Sequence, residues 1–283
     1  MLCLLCNKNE SIENSHVIPH LVYRAIKTDS STGYFRDGRM PNRRQQDGDK
    51  LPLLCRECEN LFSKAENEFA KNILKPFHER DQDHFSYGPW LHYYLTSQAW
   101  RTLVLDLPGF EADPTFAPSV LELLRESLGR MQKYLLGATS LGDLIRQHMI
   151  PWTVVGQCSP ELASAGPNVL IRRSTIGFTV AQNRKGHAAV LHNLAGIFTV
   201  LNIKGTPQDV WFNTKVDPSG GEIKQPQTVK SWVMYELIEG LLEGQKAVSE
   251  GMSEKQRDKV DQGLKANPTA GALRHALRDR EIP

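Results

Sequence analysis

Four of the five cysteines in this 283-residue chain stand in two Cys-x-x-Cys pairs, Cys3 with Cys6 and Cys55 with Cys58, while Cys158 stands alone. A Cys-x-x-Cys turn aims two sulfurs at one point, and two such turns close a tetrahedral site around a single ion. An odd cysteine count in a reducing compartment favours metal binding over disulfides. A structural zinc ion is therefore expected on Cys3, Cys6, Cys55 and Cys58. Neither pair has the Pro and Gly that often mark iron-binding knuckles, and nothing resembles the strand-to-helix turn of a redox dithiol. Cys158 follows the apolar run Trp152-Thr153-Val154-Val155 and reads as a buried structural thiol.

Positioning these sulfurs requires a knuckle at the start of the chain and a helix after the second pair. The segment ENLFSKAENEFAKNILKPF places Leu61, Phe62, Ala65, Phe69, Ile73 and Leu74 at helical spacing, and Pro76 is expected to end the helix. Cys58 then lies near a helix N-terminus, whose positive dipole end favours a thiolate. Treble-clef zinc fingers are similar: a knuckle, a hairpin, then a helix that delivers the last ligands.

The residues between the pairs extend the likeness. Cys3-x-x-Cys6, then Ser15-His16-Val17-Ile18-Pro19, then Cys55-x-x-Cys58-Glu59-Asn60 resembles the four-cysteine HNH, or His-Me finger, endonucleases over about residues 1–75. The resemblance implies that His16 is a general base activating a water against phosphorus, and that Glu59, where the family usually has histidine, is a ligand for catalytic magnesium or manganese. Ser15 stands where the family often has an Asp or His ligand. The family's base-orienting Asn falls near Lys50, with Asn42, Asp47 and Asp49 as looser candidates. Asn60 reads as a helix-start residue and His20 as a surface residue.

Between Arg24 and Arg44, six cations (Arg24, Lys27, Arg36, Arg39, Arg43 and Arg44) face only Asp29 and Asp37, with Tyr34 and Phe35 interleaved. Arg36, Arg39, Arg43 and Arg44 are candidates for tracking a nucleic-acid backbone; a solvated loop is the other reading. The aromatics Trp90, Tyr93, Tyr94 and Trp100 read as helix packing rather than a stacking platform.

The fold class expected is α+β: a zinc-binding, treble-clef or HNH-like module over 1–80, then a body over 81–283. In the body, helices are expected over 85–150, including SLGDLIRQHMI. Short strands follow over 151–216 (PWTVVGQ, NVLIRR, TIGFTVAQ, AAVLHN, GIFTVLNI) and form a small antiparallel sheet. C-terminal helices occupy 225–281. No stretch has the length and apolarity of a membrane span, no leader is evident, and the cytoplasm is the expected compartment. The net charge of +2 excludes neither a polyanionic partner nor its absence. Beyond residue 80 there is no Gly-rich phosphate loop, nucleophile elbow or His-Glu-x-x-His helix. Three functions follow: a metal-dependent, HNH-like endonuclease hydrolysing phosphodiester bonds in DNA or RNA; a non-catalytic zinc module binding nucleic acid or a protein partner, with a homo-oligomer possible; or a finger controlled by a ligand-sensing 151–216 sheet.

Overall fold

The structure, a computed structural model, describes residues 1–12, 14–28, 30–142, 145–267 and 270–282. Asp29 of the basic stretch, Asp143 and Leu144 of the expected SLGDLIRQHMI helix, and Thr269 near the C-terminus lie outside the described residues.

The N-terminal region begins with a knuckle closed by a bridge between Leu2 and Glu10. Strand β1 (Ser15–His16), helix α1 (His20–Thr28), strand β2 (Lys50–Leu51) and helix α2 (Arg56–Phe69) follow. β1 pairs antiparallel with β2, setting Ser15 opposite Leu51 and His16 opposite Lys50. The helix does not stop at Pro76. A π-helical turn (Ala70–Leu74) carries α2 into α3 (Lys75–Arg80), and Asp81 ends the run in the left-handed conformation at φ 50°. The wider turn opens the hydrogen-bond ladder just where proline lacks its N–H, so the chain continues through a position that would otherwise break it.

The body is layered around a four-stranded antiparallel sheet. After β3 (Phe85–Tyr87) come α4 (Pro89–Ala112), α5 (Pro118–Leu135), β4 (Arg146–Pro151), α6 (Pro160–Ser164) and α7 (Pro167–Arg172). Then come β5 (Thr175–Gln182), β6 (His187–Leu194), β7 (Ile197–Lys204), β8 (Val210–Phe212), β9 (Gly221–Ile223) and β10 (Thr228–Lys230). Helices α8 (Trp232–Gly251), α9 (Glu254–Ala266) and α10 (Ala270–Arg280) complete it. The main sheet has the order β4-β7-β6-β5; β3 pairs with β9, and β8 with β10.

The apolar run through β6 and β7 is explained by two covered faces. Successive strand residues point to opposite sides. Ala188, Val190, Leu201 and Ile203 pack with α4 and α5, whereas Ala189, Leu191, Phe198 and Val200 pack with Val233, Leu237 and Leu241 of α8. Helix α4 is buried on most sides, between α2, α5 and the sheet, and its weak amphipathicity follows from that placement. The cysteine region shares this core: Cys3, Leu5, Leu53, Leu54 and Phe62 belong to the same apolar cluster as Trp100, Leu103 and Leu124. Trp100 and Tyr94 are buried, as expected of packing aromatics.

Three expected elements differ. The second half of the SLGDLIRQHMI segment, Arg146 to Ile150, is instead in β4, because antiparallel pairing with β7 overrides a short helical pattern. NVLIRR is helix α7, started by Pro167 at its first turn behind Gly166 at φ 66°. PWTVVGQ contributes only Pro151 to a strand; the Val155 N–H and C=O are met by the Asn168 side chain at 2.8 and 3.1 Å, which replaces a ladder partner. The strand β3 also interrupts the expected 85–150 helical region, and β10 precedes the C-terminal helices. No helix among the described residues is long and apolar enough to cross a membrane.

Several histidines lie deep in this core. His192 meets Thr102 Oγ1 at 2.8 Å and Thr199 Oγ1 at 3.4 Å, and burial pushes its pKa down to about 4. Burial likewise pushes His148 down to about 3 and His92 to about 4. An unfolded histidine titrates near 6.5. Between about 6.5 and 4 the unfolded chain therefore binds more protons than the folded one, and stability falls as pH falls, by up to about 1.4 kcal/mol per pH unit for each ring. The urea midpoint should drop from pH 7 to pH 5, and the drop should shrink in His192→Gln. An unchanged difference between the two pH values would contradict this account of His192.

Candidate metal centre and the adjoining histidine pair

The first pair of sulfurs is shaped by the knuckle. The Cys3 N–H donates to Asn9 O and the Asn7 N–H to Cys3 O, both at 2.9 Å. Asn7, just after Cys6, takes φ 55°, a left-handed turn that asparagine tolerates better than most residues. The second pair sits at the start of α2, with Cys55 as its N-cap in extended conformation and Cys58 in its first turn. Ser15 joins the halves: its hydroxyl is buried, accepts from the Leu54 N–H at 3.0 Å, and stands 3.5 Å from Leu54 O. This serine therefore holds the strand of His16 against the residue preceding Cys55.

All four cysteine sulfurs lie within 4.8 Å of one another. Cys6 Sγ and Cys55 Sγ are 3.8 Å apart, far beyond the roughly 2.05 Å of a disulfide. Four sulfurs at about 2.3 Å from one tetrahedral ion stand about 3.8 Å from each other, so the spacing fits a shared ion. Cys3, Cys55 and Cys58 are buried, which closes the site in the manner of a structural centre. Burial, with the neighbouring sulfurs, drives the Cys58 thiol far above its ordinary range and raises Cys55. At Cys6, burial also opposes ionisation, but the backbone N–H groups of Asn9 and Lys8 outweigh it and draw the thiol down to about 6. One sulfur is thus ready to ionise, and a divalent cation would supply the charge that ionises the rest. Asn9 Nδ2 lies 3.9 Å from Cys55 Sγ and donates to Glu57 Oε2 at 3.2 Å, an outer contact that steadies the helix end. From the body, Gln132 Nε2 donates to Leu5 O at 2.6 Å and fastens the knuckle to α5.

A second group forms beside the hairpin. His16 Nε2 is 2.9 Å from Asp47 Oδ2, and His20 Nδ1 is 2.9 Å from Asp47 Oδ1. Lys50 Nζ lies 2.9 Å from Asp47 Oδ2, and the Gly48 N–H donates to Oδ1 at 3.0 Å. Although burial opposes it, these donors hold the Asp47 carboxyl well below the usual carboxylate range. The turn demands its glycine: a Cβ on Gly48 would stand 2.2 Å from the Tyr23 ring. His16, His20 and Asp47 are near enough to share a cation. A carboxylate has about four lone-pair positions, however, and here His16, His20, Lys50 and Gly48 each occupy one. Asp47 is thereby committed to orienting two imidazoles. Among the looser candidates for the orienting role, Asp47 is the one that reaches His16. The pattern missed His20, whose only sequence signal is its position four residues after His16, at the first turn of α1.

Glu59 is not gathered into this group. Its Oε2 lies 3.8 Å from the Arg101 guanidinium, which is buried and also donates to Glu66 Oε1 at 2.8 Å. Asn60 is exposed on α2. The four candidate arginines divide into two kinds. Arg39 is bound to Asp37 through Nε at 3.1 and 3.0 Å and to Asp49 at 2.6 Å. Arg36 donates to Pro41 O at 2.8 Å and Gln256 Oε1 at 3.0 Å. Arg43 and Arg44 are exposed, with the Arg44 guanidinium 4.6 Å over the Tyr34 ring. Asn42 ties the same loop to the C-terminal helices, donating to Gly251 O at 2.9 Å and accepting from the Ser253 N–H at 2.8 Å.

No family model matches the chain, and no curated protein and no solved structure matches it.

The four-sulfur geometry predicts one tightly held divalent ion per chain. Cobalt substitution should give the thiolate charge-transfer and tetrahedral ligand-field bands of a four-sulfur site, and Cys55→Ser should lose them with most of the bound metal. Removal should also unfold the hairpin, since metal binding of this kind contributes about 10–16 kcal/mol to small fingers. Full metal content in Cys55→Ser would contradict the site.

Proposed function

We propose that this chain is an HNH-like endonuclease that hydrolyses phosphodiester bonds in DNA or RNA, built on a treble-clef finger with structural zinc at Cys3, Cys6, Cys55 and Cys58. One observation carries the reading: His16, on the strand before the helix that bears the second cysteine pair, places Nε2 2.9 Å from the carboxylate of Asp47. Donation of Nε2–H to Asp47 fixes the tautomer and leaves Nδ1 as a lone pair. That nitrogen would take a proton from water as the oxygen attacks phosphorus, and Asp47 would stabilise the imidazolium that forms. The His16 side chain is 25% exposed, so water and substrate have access.

The magnesium or manganese expected at Glu59 finds a poor fit, because Glu59 faces Arg101 and Asp47 has no oxygen position left. No step here runs through such an ion. Arg43 and Arg44, the latter over Tyr34, suit contact with a phosphate backbone, whereas Arg39 is paired with Asp37 and Asp49 and Arg36 donates to neutral oxygens of Pro41 and Gln256. That internal pairing is also the observation favouring the second reading, a non-catalytic zinc module that binds nucleic acid or a protein.

Cleavage of plasmid DNA and of RNA, with and without magnesium or manganese, tests the proposal. His16→Ala should reduce cleavage by about 10²–10⁴-fold, and Asp47→Asn should reduce it strongly, with metal content unchanged. Equal rates for the parent and His16→Ala would end the reading. In binding assays, replacing Arg43 and Arg44 by Ala should lower the slope of log affinity against log salt by about one per residue, while Arg39→Ala leaves the slope nearly unchanged.

A further inference from the structure

His20 has no part in the scheme above, yet it is held as firmly as His16. Its Nδ1 lies 2.9 Å from Asp47 Oδ1, while His16 Nε2 holds Oδ2 at the same distance. One carboxylate therefore takes one N–H from each ring. The nitrogens left over are Nδ1 on His16, a lone pair in the neutral ring, and Nε2 on His20, which carries a proton only in the imidazolium form. The rings are tilted by 54° with centroids 5.7 Å apart, and the His20 side chain is 49% exposed. Lys50 adds positive charge on the same carboxylate, which favours an anionic substrate at the mouth of the group.

Phosphodiester hydrolysis needs two proton transfers, one from the attacking water and one to the departing oxygen. Each group must come within about 2.6–3.2 Å of its own oxygen, and two imidazoles whose ring centroids are 5.7 Å apart are near enough to serve one phosphoryl group. The sign of each role follows from accessibility and partners. His16 is the more enclosed and is backed by Asp47 and Lys50 on one oxygen. His20 opens α1 and is the more exposed of the two, 49% against 25%.

We propose that His20 is the general acid that protonates the leaving oxygen, which makes His16 and His20 an acid–base pair aligned by Asp47. The proposal rests on the nuclease reading of His16. In the step, a water O–H bond breaks and its proton goes to His16 Nδ1 as the oxygen bonds to phosphorus. The bond from phosphorus to the leaving oxygen breaks, and that oxygen takes the Nε2 proton of His20, which enters the step as the imidazolium with Nδ1–H on Asp47 and leaves it neutral. Solvent then removes the proton from His16 and restores the one on His20.

The test compares substrates with poor and good leaving groups, using the full-length metal-bound chain. Nucleic acid leaves as an alkoxide that needs a proton; bis(p-nitrophenyl) phosphate leaves as a stabilised phenolate that does not. His20→Gln should slow nucleic-acid cleavage by about 100-fold and slow the nitrophenyl ester by less than about threefold, whereas His16→Gln should slow both by similar factors. His20→Asn should repeat the pattern, and thermal midpoints and metal content should match the parent. Equal losses on both substrates in His20→Gln would overturn the acid assignment. Recovery of its nucleic-acid cleavage on raising magnesium or manganese would also overturn it, by making His20 a cation ligand. A His16→Gln variant with parental rates on both substrates would instead remove the nuclease reading underneath.

Discussion

Four cysteine sulfurs crowded within 4.8 Å of one another, three of them buried, need a cation to be ionised together, and that constraint bears on the whole N-terminal region. The knuckle and the start of α2 are far apart in sequence, and the four sulfurs meet where backbone bonds from the Leu4 N–H to Leu53 O and from the Ile12 N–H to Leu54 O join the two. From there the geometry propagates through short, specific links. Ser15 bonds the residue before Cys55. The same strand presents His16 opposite Lys50, and the turn ahead of Lys50 supplies Asp47. The position of the imidazole relative to its carboxylate thus depends on a sulfur site to which neither residue belongs.

The sulfur site in turn leans on the body. Phe62 packs edge-on to Trp100 and Tyr93, with ring centroids 6.4 and 6.0 Å away, and Arg101 lies buried between Glu66 and Glu59 of α2. A buried cation held by two carboxylates contributes little net stability, but it penalises misalignment severely, because a displaced helix would leave the charge uncompensated. Apolar packing joins α2 to α4, and the ion group fixes their register. Glu59 thereby has a structural contact beside Cys58, its carboxylate facing the Arg101 guanidinium.

What was legible in the sequence follows from how local each signal is. The two cysteine pairs announce their meeting because thiolate chemistry leaves few alternatives for that spacing. Strands β5, β6 and β7 are legible because β-branched runs between turn residues allow little else. β4 was hidden because RQHMIP has no period of its own and becomes a strand only by lying beside β7. α7 was hidden because a short apolar run reads equally as strand or helix. At the candidate site, His16 stood out by its Ser-His-Val-Ile-Pro setting. Asp47 could be named only among several neighbours, since its selection depends on a loop whose path is set by contacts elsewhere. His20 carried only its spacing from His16, because an exposed histidine at a helix start looks the same with or without a carboxylate beneath it.

That loop path has a source far along the chain. The amide of Asn42 spans the break between α8 and α9, touching a carbonyl at the end of one and an N–H at the start of the other. Nearby, a Cβ at Gly38 would come 3.1 Å from that of Ala247. The basic segment is therefore built as a layer clasped by the C-terminal helices rather than as a free arm. Whatever meets the loop meets a backbone whose course is set from the far end of the chain, so a change at the junction of the two helices would be felt at Arg43 and Arg44.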